Sequence, residues 1–246
     1  MTSRISSDLL RHVTSPSAGT VPTRFTGDDP TPVVAESLTV CHPQVETTGT
    51  VDAADEVFVP DHYEANYAYP LLVWLVPEAA PKGNLKTLMR RISERNSFGA
   101  VVRVNGDSAL DDRLVRTVAG LRRRYHIHSE RVYLAGSGTE ATQALALGLA
   151  RPEWFGGIVA LSPHVPLGPR MLSQFDALRG KRVFLATTED DRQQIDRLQK
   201  MQRLLWSAGL SVRACTCDAP EQDDNGLLRE IDRWMIQAIE EAATVA

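Results

Sequence analysis

The stretch Arg131-Val-Tyr-Leu-Ala-Gly-Ser-Gly-Thr-Glu-Ala-Thr-Gln-Ala-Leu-Ala-Leu-Gly-Leu-Ala-Arg-Pro-Glu-Trp-Phe-Gly-Gly-Ile-Val-Ala-Leu-Ser-Pro163 decides the fold. It opens on a β-rich run, Val132–Leu134, and turns at Gly136-Ser137-Gly138. It then passes through a helical segment and closes on a second apolar run, Ile158–Leu161. Short runs that are almost wholly apolar are the mark of parallel strands covered on both faces. A parallel pair needs a crossover between its strands, and a helix of this length supplies one.

Working outward, the same alternation continues in both directions. Apolar runs stand at Leu71–Val76 and Ala100–Val104 upstream, and at Val183–Ala186 and Leu210–Cys215 downstream. Two further short β-rich runs, Glu36–Cys41 and Val57–Val59, precede them. Helical stripes fall between: Leu114, Val115, Val118 and Leu121; Ile195, Leu198, Met201 and Leu205; Leu228, Ile231, Met235 and Ile239. Gly209 marks the end of the second. Strands first, then repeated strand–helix units, predict an α/β fold: a mainly parallel twisted sheet of about eight strands, antiparallel at its start, with helices on both faces. In such sheets ligands bind beyond the carboxyl ends of the strands.

Residues 1–35, rich in Ser, Thr, Pro and Gly, show no apolar period and are expected to form a flexible arm. Residues 36–246 are expected to form the single domain, within the size of one large α/β unit. The net charge is −4, with no basic run beyond Arg122-Arg123-Arg124, which argues against a nucleic-acid partner. Three cysteines are too few for a disulfide scaffold or a four-cysteine zinc site. The longest apolar run, Leu71–Val76, falls far short of the roughly 18 residues of a membrane helix. No membrane association is expected. The opening MTSRISSDLLRHVTS lacks the apolar core of a signal peptide, so the cytoplasm is the expected location.

The 131–163 stretch resembles the strand–elbow–helix–strand core of α/β hydrolases, particularly the phospholipase/carboxylesterase branch. That branch carries R-V-Y-L-A-G-x-S-x-G-G, then a helix, then P-E-x-F-x-G-x-V-A-L-S. Val57–Leu75 looks like the same family's opening strands, and Val183–Val212 like its acid-bearing strand and following helix. The resemblance spans roughly residues 55–240 and implies an α/β-hydrolase fold. It also implies a serine triad, in the chain order serine, acid, histidine, with backbone donors for an oxyanion.

Those parts are altered here. A gap-free alignment on Leu134-Ala135-Gly136 puts the nucleophile position on Gly138, which has no side chain to attack with. In the other register Ser137 is the nucleophile, and Thr139 crowds the strand–helix crossing. Ser137-x-x-Glu140 also reads as a capping box. No histidine follows His164, so the position of the catalytic base is filled by the acidic run Cys217–Gly226. The family's His-Gly after the Leu-Val-Trp-Leu strand is Val76-Pro77, and proline offers no N–H. Only the acid loop, Glu189-Asp190-Asp191, looks retained, with Asp191 the better match.

These losses lead to the expectation of a catalytically inactive hydrolase-like protein that binds a small molecule or a protein partner, with no cofactor. Self-association as a homodimer is a further option. The alternative is a carboxylic ester hydrolase working through Ser137, with Asp191 and His164 as its other candidate catalytic residues. A weak oxygen-ligated cation site is conceivable where the two acidic loops meet, at Asp190, Asp191 and Asp223. His126 and His128 read as surface or turn residues, Cys215 and Cys217 as small buried hydrophobes, and Trp206 and Trp234 as packing residues.

Overall fold

A computed structural model describes residues 54–105, 109–164, 175–188, 192–217 and 225–245. The run Tyr69–Pro77, YPLLVWLVP, is buried from Tyr69 to Leu75 and becomes the central strand β2. Strand β3 (Phe98–Val104) pairs with it on one side and β4 (Ile127–Ser137) on the other, both parallel. Beyond β3 lies β1 (Glu56–Phe58), the sole antiparallel strand among the described residues. Beyond β4 follow β5 (Gly157–Leu161), β6 (Arg182–Thr188) and β7 (Ser211–Cys217), all parallel. The sheet order is β1-β3-β2-β4-β5-β6-β7.

Six helices complete the described fold: α1 (Asn84–Ile92), α2 (Leu110–Arg124), α3 (Thr139–Ala150), the short α4 (Phe175–Leu178), α5 (Arg192–Ser207) and α6 (Asn225–Val245). Because side chains alternate along each strand, the sheet has two apolar faces, and each is capped by helices. On one face Leu71, Val73, Val132 and Leu134 meet Leu114, Val118 and Leu121 of α2, Leu145 of α3, and Leu198, Met201 and Leu205 of α5. On the other, Leu72, Trp74, Tyr133 and Phe184 meet Leu85, Leu88 and Met89 of α1 and Leu228, Ile231 and Trp234 of α6. Each fully buried large side chain contributes roughly 1.5–3 kcal/mol.

The predicted class therefore stands, with corrections of detail. Seven strands are described; the run Glu36–Cys41 and the 1–35 arm lie outside the described residues. Strand β2 extends through Pro77, which the sequence placed after the strand, and β4 starts well before Val132. Trp206 is not a packing residue: it is 73% exposed. The buried positions of α5 are Leu198, Met201 and Leu205, and position 206 is turned about 100° away from that stripe. Trp234 is buried, as predicted. Among the described residues no helix is long and apolar enough to cross a membrane.

Candidate functional site

The carboxyl ends of β4 and β5 converge on the turn between β4 and α3. Ser137 is the last residue of β4 and is still in register with Leu161. Gly138 follows with φ 62° and ψ −118°, a conformation that costs a residue with a Cβ far more than glycine. Its N–H donates to the Leu161 carbonyl at 2.8 Å, and its own carbonyl accepts from the Thr142 N–H at 3.3 Å. The strained corner is thus at Gly138, with Ser137 one residue short of it.

Gly136 explains how the helix can leave so sharply. A Cβ there would lie 2.5 Å from the Glu140 carbonyl carbon and 2.7 Å from the Ala141 nitrogen, both backbone atoms that cannot step aside. The capping box read at Ser137-x-x-Glu140 is absent. The residue before the helix is Gly138, with no side-chain cap, so Glu140 sits one place too early for a box. Ser137 remains committed to the strand.

His164 stands over the corner. Its backbone N–H donates to the Thr142 hydroxyl at 3.1 Å, and its ring Nε2 lies 3.3 Å from where a Cβ on residue 138 would be. The backbone brings it there through Ser162, which has φ 49° and anchors its N–H on the Ala186 carbonyl. His164 borders a slot with Pro163, Thr187, Gln194 and Arg197, whereas Ser137 borders a different cavity on the α1 side. The imidazole faces a position that carries no nucleophile.

The donor side is reduced as well. Pro77 has no N–H, and the next one, on Glu78, is spent on the Val104 carbonyl at 3.2 Å. The N–H of Thr139, which opens α3, has no intrahelical acceptor and is the donor left at the corner. Asp190, Asp191 and Asp223, with the rest of both acidic loops, lie outside the described residues. Among the described residues no cluster of three or more His, Cys, Asp or Glu side chains is arranged to hold a metal ion.

His126 and His128 sit at the amino end of β4, away from the corner, and take separate partners. The His126 ring sets its Nδ1 3.0 Å from the Ala65 carbonyl oxygen while its backbone N–H donates to the Tyr63 hydroxyl, and His128 Nδ1 accepts from the Glu130 backbone N–H. Burial, then the charge of Arg131, holds the His128 pKa below its usual range. Cys215 and Cys217 are half-buried against the α6-side core, each with its Sγ 3.7 Å from a carbonyl oxygen of β6.

Sequence reasoning missed the cavity of about 140 Å³ that Ser137 borders. Its walls include Trp74 and Val76 of β2, Leu85 and Leu88 of α1, Arg103 of β3 and Glu140 of α3. The Arg103 guanidinium is buried, donating through Nη1 to the Ala80 carbonyl at 2.7 Å and through Nη2 to Glu56 at 3.2 Å. The one signal in the sequence was a single charge inside the otherwise apolar FGAVVRV.

No protein-family description matches the chain, and no curated protein sequence matches it. Solved structures do. A thermostable esterase superposes with a TM-score of 0.57 at 15% identity, over 74% of this chain and 58% of that one. A ferulic acid esterase gives 0.55 at 14% identity, over 73% and 89%. An esterase from Pyrobaculum calidifontis gives 0.54 at 11%, over 74% and 80%. The chain spans a little over half the length of the first of these and most of the other two. Likeness at such identities is likeness of fold, and the chain has the α/β-hydrolase fold.

Proposed function

We propose that this chain uses the α/β-hydrolase scaffold to bind a small molecule at the carboxyl edge of the sheet, and that it does not hydrolyse esters through a serine triad. The observation that carries the reading is Gly138: the strained turn where the fold presents its nucleophile holds a residue without a side chain. Three further features support it. No histidine follows position 164 to serve as the usual base, Pro77 removes one oxyanion donor, and Ser137 and His164 border different cavities.

The test is turnover of p-nitrophenyl acetate and butyrate by the wild type and by Ser137→Ala. Both proteins are expected at background, because loss of triad members removes several powers of ten of rate. Turnover above about 1 s⁻¹ that disappears in Ser137→Ala would overturn the reading in favour of a carboxylic ester hydrolase. A protein partner or a second copy of this chain in place of a small molecule would leave the melting temperature insensitive to any small ligand, and would give a mass above the monomer in solution.

A further inference from the structure

The sheet ends on an edge that is open to pairing. Strand β7 is its last strand among the described residues, and it matches β6 without a break from Ser211 to Cys217. The Ser211 N–H donates to the Lys181 carbonyl at 2.8 Å, on the inner side. Main-chain groups of successive residues point to opposite sides of a strand. Val212 and Ala214 therefore turn their N–H and C=O groups outward, where no described strand meets them. Edge strands are ordinarily guarded by proline, bulges or charge. SVRACTC has no proline and no bulge, and its one charge, Arg213, is neutralised by Glu230 of α6.

Helix α5 continues that edge above the sheet. Its Arg197 borders the slot of Pro163, His164 and Thr187, on the β5–β6 side. Trp206 lies nine residues later, about two and a half turns, and so projects from the opposite flank, over β7. Ile195, Gln199, Gln202 and Trp206 form a stripe on that flank, four, three and four residues apart as in helix–helix seams. The stripe contains no charge; Asp196, Lys200 and Arg203 point further round, toward solvent. Depletion of charge around an exposed aromatic is the composition of an interface core. On the same face of the sheet, Val212 and Ala214 add half-buried apolar side chains.

The edge is complementary to itself, which selects a second copy of this chain as its occupant. About a two-fold axis at Arg213, antiparallel strands set Val212 opposite the second copy's Ala214, and each such couple exchanges both main-chain hydrogen bonds. The two Arg213 side chains meet at the axis, each with its own Glu230, so the four charges sum to zero and the cost of facing like charges is offset. The uncharged α5 stripes meet without repulsion.

We propose that two copies of this chain pair through β7, antiparallel about a two-fold axis at Arg213, joining their sheets and packing α5 against α5. The dimer accompanies the small-molecule role and does not replace it, because the turn at Gly138 closes β4, three strands in from β7.

The test is the mass of the full chain by sedimentation equilibrium, at concentrations up to about 100 µM. The wild type is expected at twice the chain mass. Trp206→Glu, at a position 73% exposed in the single chain, should weaken self-association at least about tenfold without changing the far-ultraviolet circular dichroism. Val212→Pro, which removes one outward N–H and none that pairs with β6, should do the same. Arg213→Cys tests the axis in a background of Cys41→Ser, Cys215→Ala and Cys217→Ser. Facing residues of a non-hydrogen-bonded couple lie about 4.5 Å apart at Cα, within disulfide range, so oxidation should link the two copies. A monomeric wild type would overturn the proposal and leave the edge to a strand of another protein. A dimer indifferent to both Trp206→Glu and Val212→Pro would overturn the surface, and a dimer that Arg213→Cys fails to link would overturn the axis.

Discussion

On the α3 face of the sheet, backbone meets backbone at Gly136, and the side chains of Val132, Leu134, Ala144 and Leu145 are fully buried. On the α1 face, a cavity of about 140 Å³ separates α1 from the strand ends, and buried N–H groups of Trp74 and Arg103 stand without acceptors. Close packing without large voids is the rule in structural cores. The second departs from that standard in space, at the cavity, whereas buried polar atoms without partners occur on both faces, Thr117 Oγ1 of α2 on the first among them. The sheet thus combines a rigid face that fixes the turn at Gly138 with a looser one that leaves room beside it.

The largest expected effect tests that contrast directly. Leu145→Ala, on the packed face, should cost about 4 kcal/mol, near the upper end for leucine truncation, because its surroundings leave little to collapse. Leu88→Ala, which borders the existing cavity, should cost about 2 kcal/mol, since that side chain already lacks neighbours on one side. Urea denaturation at constant slope measures both. Equal losses would mean that the two faces are equally packed and that the cavity closes in solution.

Gly136→Ala comes next, at about 3 kcal/mol, the high end of overpacking penalties. The added methyl would overlap the Glu140 and Ala141 backbone, and relief requires α3 to move away from β4. Since Gly138 is held between the same two elements, the shift should also appear as amide chemical-shift changes at residues 136–142. A loss under about 1 kcal/mol, of the kind a yielding side chain permits, would show the crossing to be softer than drawn.

The fold was legible because its signals are local and repeated. Apolar runs at Leu71–Val76 and Ile158–Leu161, and stripes such as Leu114, Val118 and Leu121, each follow one period, and burial enforces that period throughout. The turn was half legible. Aligning Gly136 without a gap put Gly138 at the nucleophile position, and the structure places the strained φ there. The capping box at Ser137 misled because S-x-x-E says only that a helix begins nearby, while strand pairing with Leu161 holds Ser137 back. Trp206 misled because being next to a stripe is not being on it. The cavity was not legible at all: Trp74, Leu88, Arg103 and Glu140 come from four elements, and no spacing in the sequence links them.

A smaller effect probes the turn itself. Gly138→Ser should cost about 1 kcal/mol, the price of a side chain at positive φ. The new Cβ would stand 3.3 Å from His164 Nε2, so the hydroxyl would meet an imidazole. No histidine after position 164 serves such a hydroxyl as the usual base; His164 itself is a neighbour, though with no N–H from Pro77 to hold an oxyanion. Ester turnover is therefore expected to stay at background. Combining the change with His164→Ala should recover about 0.5 kcal/mol relative to the sum of the single variants, as for groups in contact. Full additivity would remove His164 from the turn.

The smallest effect concerns Asp232, on the α6 helix that covers the same face as α1. Burial raises its carboxyl pKa above the ordinary aspartate value, since desolvation disfavours the charged form. The sign follows from linkage. With the folded pKa above the unfolded one, the unfolded chain releases its proton first as pH rises, so stability falls from the unfolded pKa up to the folded one. Above that window the cost is fully present, and below it there is none. Asp232→Asn should therefore raise the melting temperature slightly at pH 7 and lose that advantage near pH 3. His128 acts in the opposite sense: its pKa is lowered by burial, so its contribution to stability falls as pH drops through its titration range. Measuring Asp232→Asn in a His128→Gln background isolates the carboxylate. An advantage that grows toward acid pH would contradict the burial of Asp232 and would align the α6 side of this face with solvent.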